Sequence, residues 1–245
     1  MSVPTEPAGS TEAEVLVVGA GASGIGAAVM LKHLGVSDFV VVEKADSVGG
    51  TWRDNTYPGC ACDVPSALYS FSFAPNPNWT RAFAGQREIR SYLESVASRY
   101  GVLDHVHCGA EVTQAQWNAE VERWEVETTA GRWSARVLVA GAGPWSEPLI
   151  PDIPGLRSFP GRVFHSSRWD HDHDLTGQRV AVVGTGAVAA AGSGAASPSS
   201  SASAWAGGSG PRPATQPAQN RPVIATAGTN QLQSSAECTP NCRAS

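Results

Sequence analysis

Three glycines give the chain its clearest chemical signal. Gly19-Ala-Gly21-Ala-Ser23-Gly24 follows an apolar run from Glu14 to Val18, and small and apolar residues at helical spacing continue to Leu34. In such a turn the first glycine permits the tight bend, the second lets a pyrophosphate approach the backbone, and the third lets helix and strand pack closely. The free N–H groups and partial positive charge of the helix N-terminus then suit phosphates. Glu43 stands 19 residues beyond Gly24, at the end of a second apolar run that starts at Asp38. A carboxylate there accepts both hydroxyls of an adenosine ribose and repels a 2′-phosphate, so the spacing favours FAD or NAD over NADP. An ordinary strand-to-helix turn is the plainer alternative. The order of strand, helix, Gly35 and Glu43 argues against it.

A second strand-to-glycine turn, Gly184-Thr185-Gly186-Ala187-Val-Ala189, closes the apolar run Gly177–Val183. Alanine in the third position is tolerated in such turns. The continuation, Ala190 to Pro198, offers no large apolar residue to pack on a sheet, and its two glycines and proline break a helix. No acid or arginine follows on a strand to read a second ribose. The cysteines, Cys60, Cys62, Cys108, Cys238 and Cys242, are odd in number and irregular in spacing. They form no disulfide framework, suit a reducing compartment, and lack partners for a metal site. Cys60-x-Cys62 has no positive flank to lower a thiol pKa and makes a poor redox pair.

The first turn sits in a βαβ unit: strand Glu14–Val18, helix Ser23–Leu34 capped by Gly35, strand Asp38–Glu43. Residues 46–84 are rich in Gly, Pro, Asn and aromatics and read as functional loops with short helical pieces. Gln86 to Tyr100 places Ile89, Leu93, Val96 and Tyr100 on one helical face. Runs at about 111–118, 121–128 and 132–140 read as a β-meander, the last entering Gly141-Ala-Gly143.

The 245 residues are not uniform. Residues 191–245 hold 45 Ala, Gly, Ser, Pro, Thr, Asn or Gln among 55, and only Arg212, Arg221, Glu237 and Arg243 are charged there. That composition reads as a linker or disordered tail and excludes a single compact 245-residue domain. With 17 Lys and Arg against 22 Asp and Glu, net charge −5, the chain has no basic stripe and no nucleic-acid footprint. Met1 to Glu14 lacks the apolar segment of a secretory signal, and no apolar run approaches membrane-spanning length. The expectation is a cytoplasmic protein without membrane partners.

Together the motifs resemble the flavin-containing, Baeyer–Villiger-type monooxygenases. In order come Gly19-x-Gly21-x-x-Gly24, Glu43, Gly49-Gly50-Thr51-Trp52, Tyr57-Pro-Gly59, Cys62-Asp63-Val-Pro65 and Tyr69-Ser-Phe-Ser-Phe73. Phe159-Pro-Gly161-Arg-Val-Phe-His165-Ser-Ser-Arg-Trp169-Asp170 matches the family fingerprint FxGxxxHxxxW followed by Pro or Asp. The likeness covers residues 14 to about 188. It implies an α/β fold with a Rossmann-like FAD-binding domain built on the βαβ unit and the β-meander, an incomplete second, NADP-binding domain, and a disordered C-terminal tail. The expected boundaries are a disordered 1–12, an FAD-binding 13–145, a linker with the fingerprint and the start of the NADP domain at 146–190, and the tail at 191–245.

The resemblance implies that Gly19, Gly21, Ser23 and Gly24 hold the FAD pyrophosphate and Glu43 the ribose. Gly50, Thr51, Trp52, Arg53, Asp54, Asp63, Tyr69, Val112 and Gly143 are implied as further flavin-side contacts. Ala61, Cys62, Asp63 and Gly184, Thr185, Gly186, Ala187 are implied as NADPH contacts. The implied catalytic set is Asp63, which would pair with a catalytic arginine, and His165, which couples the cofactor domains. The implied reaction uses NADPH, FAD and dioxygen to oxygenate a ketone, amine or sulfide. Family chains are about twice as long, so the resemblance also implies a missing half. The change in composition near Val188 reads as a shifted reading frame, with a genuine disordered tail as the alternative, and either leaves turnover weak or absent. A non-catalytic FAD- or nucleotide-binding fragment and a pyridine-nucleotide-dependent flavin reductase are the competing readings.

Overall fold

The computed structural model describes residues 10–144 and 147–184, and the backbone of 223–226. A six-stranded sheet in the order β3-β2-β1-β6-β5-β4 forms its centre. Strand β1 (Thr11–Val18) leads through helix α1 (Ala22–His33) to β2 (Phe39–Val42), which pairs parallel with β1. A short β3 (Val106–His107) extends the parallel edge beyond β2. On the other side β6 (Gly131–Ala140) runs parallel to β1, and β5 (Arg123–Thr128) and β4 (Val112–Asn118) continue antiparallel as the expected meander. Strand β1 begins at Thr11, inside the segment expected to be disordered. Thr11 and Glu12 pair with Trp133 and Ser134, so the neighbouring strand supplies the order that local composition does not.

Side-chain alternation divides the core. Val15, Val17, Phe39 and Val41 face α1 and helix α3 (Gln86–Arg99), joined there by Ile25, Ile89 and Leu93. Leu16, Val40, Val42, Val126 and Ala135 pack on the opposite face. The period-two pattern of a buried strand thus feeds both layers at once. Helix α1 ends as its sequence suggests: Gly35 has φ +76°, and the Val36 N–H donates back to the Leu31 carbonyl at 3.0 Å.

The loop region 46–84 contains a single-turn helix, α2 (Thr51–Asp54), and a 3-10 turn at Ser66–Tyr69. Beyond the main sheet, β7 (Val163–His165), β8 (Val180–Val183) and β9 (Val223–Thr226) form a parallel sheet in the order β7-β9-β8. The tail expected to be disordered therefore contributes a strand, Val223–Thr226, whose Val and Ile are β-formers amid small polar residues. The rest of the expected tail, residues 1–9, and the turn residues Thr185, Gly186 and Ala187 lie outside the described residues, as does the expected frame change near Val188.

Candidate functional site

Three chain segments meet at the C-terminal ends of β1, β2 and β6 around a cavity of about 430 Å³. Gly19 to Ser23 form one wall, Gly49 to Asp54 a second, and Gly141 to Pro144 a third. Crevices beyond the carboxyl ends of parallel strands are the usual ligand sites of such sheets. Backbone hydrogen bonds fix the walls: Gly19 N–H to Val42 O at 2.7 Å, Gly141 N–H to Val18 O at 2.8 Å, and Gly49 N–H to Ala20 O at 2.9 Å.

The glycines tell what the cavity excludes. Gly19 has φ +91°, and a β-carbon there would sit 2.8 Å from the Gly141 carbonyl oxygen. A β-carbon on Gly24 would fall 1.8 Å from the Gly19 carbonyl oxygen, so strand turn and helix touch through bare backbone. Gly21 differs: among the described residues its β-carbon would meet only Gly50, at 3.5 Å, and it lines the cavity at the N-cap of α1. Helix α1 has no side-chain cap and no acid in its first turn. An uncapped helix start facing an open glycine cradle fits an anionic, diphosphate-sized group.

Glu43 lies at the floor, 4% exposed. Its Oε2 accepts from Ala20 N–H at 2.7 Å, and Oε1 accepts from Ala45 N–H at 3.0 Å and Arg53 Nη1 at 3.1 Å. A carboxylate offers about four acceptor positions. Three are filled by Ala20, Ala45 and Arg53, which leaves about one acceptor position open, on Oε2. Arg53 also donates to both Asp54 oxygens, at 2.8 and 3.1 Å, and to the Ser47 carbonyl. Burial opposes the Arg53 charge, but Asp54 and Glu43 outweigh it and hold its pKa above the ordinary value. Trp52 is buried with Tyr69 edge-on at 5.1 Å, and Gln86 donates to the Trp52 carbonyl. At the rim, Lys44 pairs with Glu147, and the hydrogen bond and charge of Lys44 lower the Glu147 pKa.

Of the residues named from sequence, Gly19, Gly21, Ser23, Glu43, Gly50, Thr51, Trp52, Arg53, Asp54, Tyr69, Val112 and Gly143 line this cavity. Gly24 packs behind it. Ala61, Cys62 and Asp63 do not line it. Ala61 forms an antiparallel bridge with Gly85, Cys62 N–H donates to Ala84 O at 3.0 Å, and Asp63 is exposed. Asp63 still acts at a distance: burial chiefly, then its negative charge, raises the Tyr69 pKa. Gly184 closes β8 with φ +135°, away from the cavity lining. Lys44, Glu111, Gly141 and Glu147 line the cavity without having been singled out as contacts. Gly141 stood in a quoted Gly-x-Gly, and Lys44 adjoins Glu43, so both carried a signal of position alone.

His165 is buried at the end of β7. Its Nδ1 accepts from Ser167 N–H at 3.1 Å and lies 2.9 Å from Ser167 Oγ, which places the ring proton on Nε2. Nε2 has no hydrogen-bond partner among the described residues. Burial, then the Arg168 charge, lowers the His165 pKa. Cys60 is buried and its thiol pKa is pushed up by burial, the reverse of a redox-active thiol. Among the described residues, no group of three or more His, Cys, Asp or Glu is placed to hold a metal ion. No helix among them is long and apolar enough to cross a membrane.

Comparison with known proteins agrees with this geometry. A family model described as pyridine nucleotide-disulphide oxidoreductase matches residues 16–193. A Baeyer–Villiger monooxygenase of Streptomyces coelicolor is 61% identical over 171 residues, 70% of this chain and 33% of that protein. One of Pseudomonas aeruginosa is 46% identical over 186 residues, 76% of this chain and 35% of that protein. Among solved structures, an oxidized steroid monooxygenase bound to NADP superposes with TM-score 0.64 at 43% identity, covering 72% of this chain and 35% of that one. A closed cyclohexanone monooxygenase superposes with TM-score 0.67 at 37% identity, covering 75% and 35%. The chain spans about a third of the length of the curated relatives it matches.

Proposed function

Because the chain belongs to the pyridine nucleotide-disulphide oxidoreductase family, among its Baeyer–Villiger-type monooxygenases, we propose that the cavity at the β1–α1 turn holds FAD for an oxygenation reaction. The observation that carries this reading is the glycine cradle: Gly21 lines the cavity at an uncapped helix start, beside a buried carboxylate. Gly19, Gly21 and Ser23 would hold the diphosphate, Glu43 a ribose hydroxyl, and Thr51 and Trp52 the adjoining part of the dinucleotide. When bound, FAD supplies the electron transfer and oxygen activation that no amino-acid side chain provides. The protein's part is to grip, orient and keep water out: buried Trp52 and half-buried Tyr69 form the apolar side of the cavity.

The steroid monooxygenase is described with NADP bound, and one cyclohexanone monooxygenase with ε-caprolactone, a lactone. By analogy we assign NADPH as the reductant, dioxygen as co-substrate and a ketone as the substrate of the complete reaction. Amine and sulfide oxygenation have no such support. The turn at Gly184 is the natural NADPH site, with Asp63 as the carboxylate for a catalytic arginine and His165 as the link between cofactor domains. Since the matched segment ends at residue 193, this chain is proposed to bind FAD yet to turn over ketone weakly or not at all.

The test is direct. The full chain, incubated with FAD and passed through a gel-filtration column, should carry flavin absorbance at near one equivalent. With NADPH and cyclohexanone added it should form little lactone. Colourless protein that is folded by circular dichroism refutes FAD binding, and lactone at ordinary rates refutes the loss of turnover.

A further inference from the structure

Arg53 lines the cavity, and a cation beside a diphosphate cradle invites a role in binding phosphate. Its hydrogen bonds say otherwise. A guanidinium has five N–H donors. Nε and Nη2 grip the two Asp54 oxygens at 2.8 and 3.1 Å, and Nη1 donates to Glu43 Oε1 at 3.1 Å and to the Ser47 carbonyl. Four of the five donors are thus spent within the protein. The Arg53 side chain is 9% exposed and that of Glu43 5%, so the pair is largely removed from water. Buried, hydrogen-bonded charge pairs hold their geometry where exposed ones do not.

Glu43 is held from two sides. Ala20 N–H fixes Oε2 from the glycine turn, and Arg53 with Ala45 N–H fixes Oε1 from α2 and the end of β2. Taking Arg53 away leaves each oxygen with one backbone donor and removes the charged fork that sets the carboxylate plane. We infer that Arg53 is a positioning residue: its fork sets the Glu43 carboxylate so that the remaining acceptor position reads one ribose hydroxyl of the adenosine half, and it does not itself bind phosphate. This rests on the dinucleotide reading of the cavity and adds which residue sets sugar recognition there.

The experiment titrates the full chain, freed of flavin, with ADP, 2′-deoxy-ADP, 3′-deoxy-ADP and inorganic pyrophosphate by calorimetry. The wild-type chain should bind one deoxy nucleotide about tenfold more weakly than ADP, the worth of a hydrogen bond to a charged acceptor. Arg53→Met should reduce that ratio to about twofold or less while leaving pyrophosphate affinity unchanged. Arg53→Lys keeps the charge and loses the fork, and should also lose most of the discrimination. Glu43→Gln should abolish it, and adding Arg53→Met to Glu43→Gln should change the ratio no further.

If Arg53→Met or Arg53→Lys weakens all three nucleotides by one common factor, Arg53 is only scaffolding and the inference fails. Weakened pyrophosphate binding in either variant overturns it too, by making Arg53 a direct phosphate ligand. A wild-type chain that binds ADP and both deoxy forms equally sinks the inference and spares the cavity reading. One that binds no nucleotide sinks both.

Discussion

The carbonyl oxygen of Gly19 lies 1.8 Å from where a β-carbon on Gly24 would be. First and third glycines of the turn are therefore in backbone contact, and the second, Gly21, stands apart from both functions of support. The two positions should respond to alanine in opposite ways.

Gly24→Ala should destabilise the fold by about 3 kcal/mol, because the displaced atom is backbone and cannot rotate aside. Gly21→Ala should change stability by less than about 1 kcal/mol, since its nearest neighbour would be Gly50 at ordinary contact distance. It should nonetheless weaken FAD binding by more than about tenfold, by filling the cradle. Urea denaturation and flavin titration of the two variants separate these effects. Equal losses of stability would contradict the division of labour.

His165 gives a pH dependence with a definite sign. Its folded pKa is lowered by burial and then by Arg168, so the folded state keeps it neutral. As pH falls through about 6.5 the unfolded chain takes up the proton first, and native stability drops until the lower folded pKa is reached. The stability contributed is whole above that window and lost on its acid side. The melting-temperature advantage of wild type over His165→Gln should shrink between about pH 7.5 and 5.5. A gap that stays constant would remove His165 from the acid response.

The Lys44–Glu147 pair spans the cavity rim between the end of β2 and the chain after β6. Its side chains are 29% and 69% exposed, so water and salt screen the attraction. Glu147→Gln should cost less than about 1 kcal/mol, and that difference should vanish near 1 M salt. A loss of more than about 2 kcal/mol, read from urea midpoints, would mean that the rim is held by this pair.

Residues 14–43 announce their structure because each local preference agrees with the global one. The β-branched runs, the three glycines, Gly35 and Glu43 occur at spacings that one βαβ unit satisfies. Arg53 carried no such mark. Its partners Glu43, Ser47 and Asp54 become neighbours of one guanidinium only after α2 folds back on the strand end. Lys44 and Glu147 are 103 residues apart, and no periodicity links them. Asp63 was readable as a motif residue, yet its exposed position depends on the pairing of Ala61 with Gly85 and Cys62 with Ala84. Thr11 and Glu12 looked unstructured because polar residues at a strand start draw their order from the neighbour, here β6.

The cavity has no wall that a short peptide could build alone, since Gly19, Gly50 and Gly141 come from three distant stretches. Whatever occupies it is a clasp across β1, β2 and β6, and its affinity adds to the resistance of the entire central sheet to unfolding. At a ligand concentration 100 times the dissociation constant that reinforcement is about 2.7 kcal/mol. In a cell, flavin supply would then set how long this chain survives proteolysis, even where no product is made.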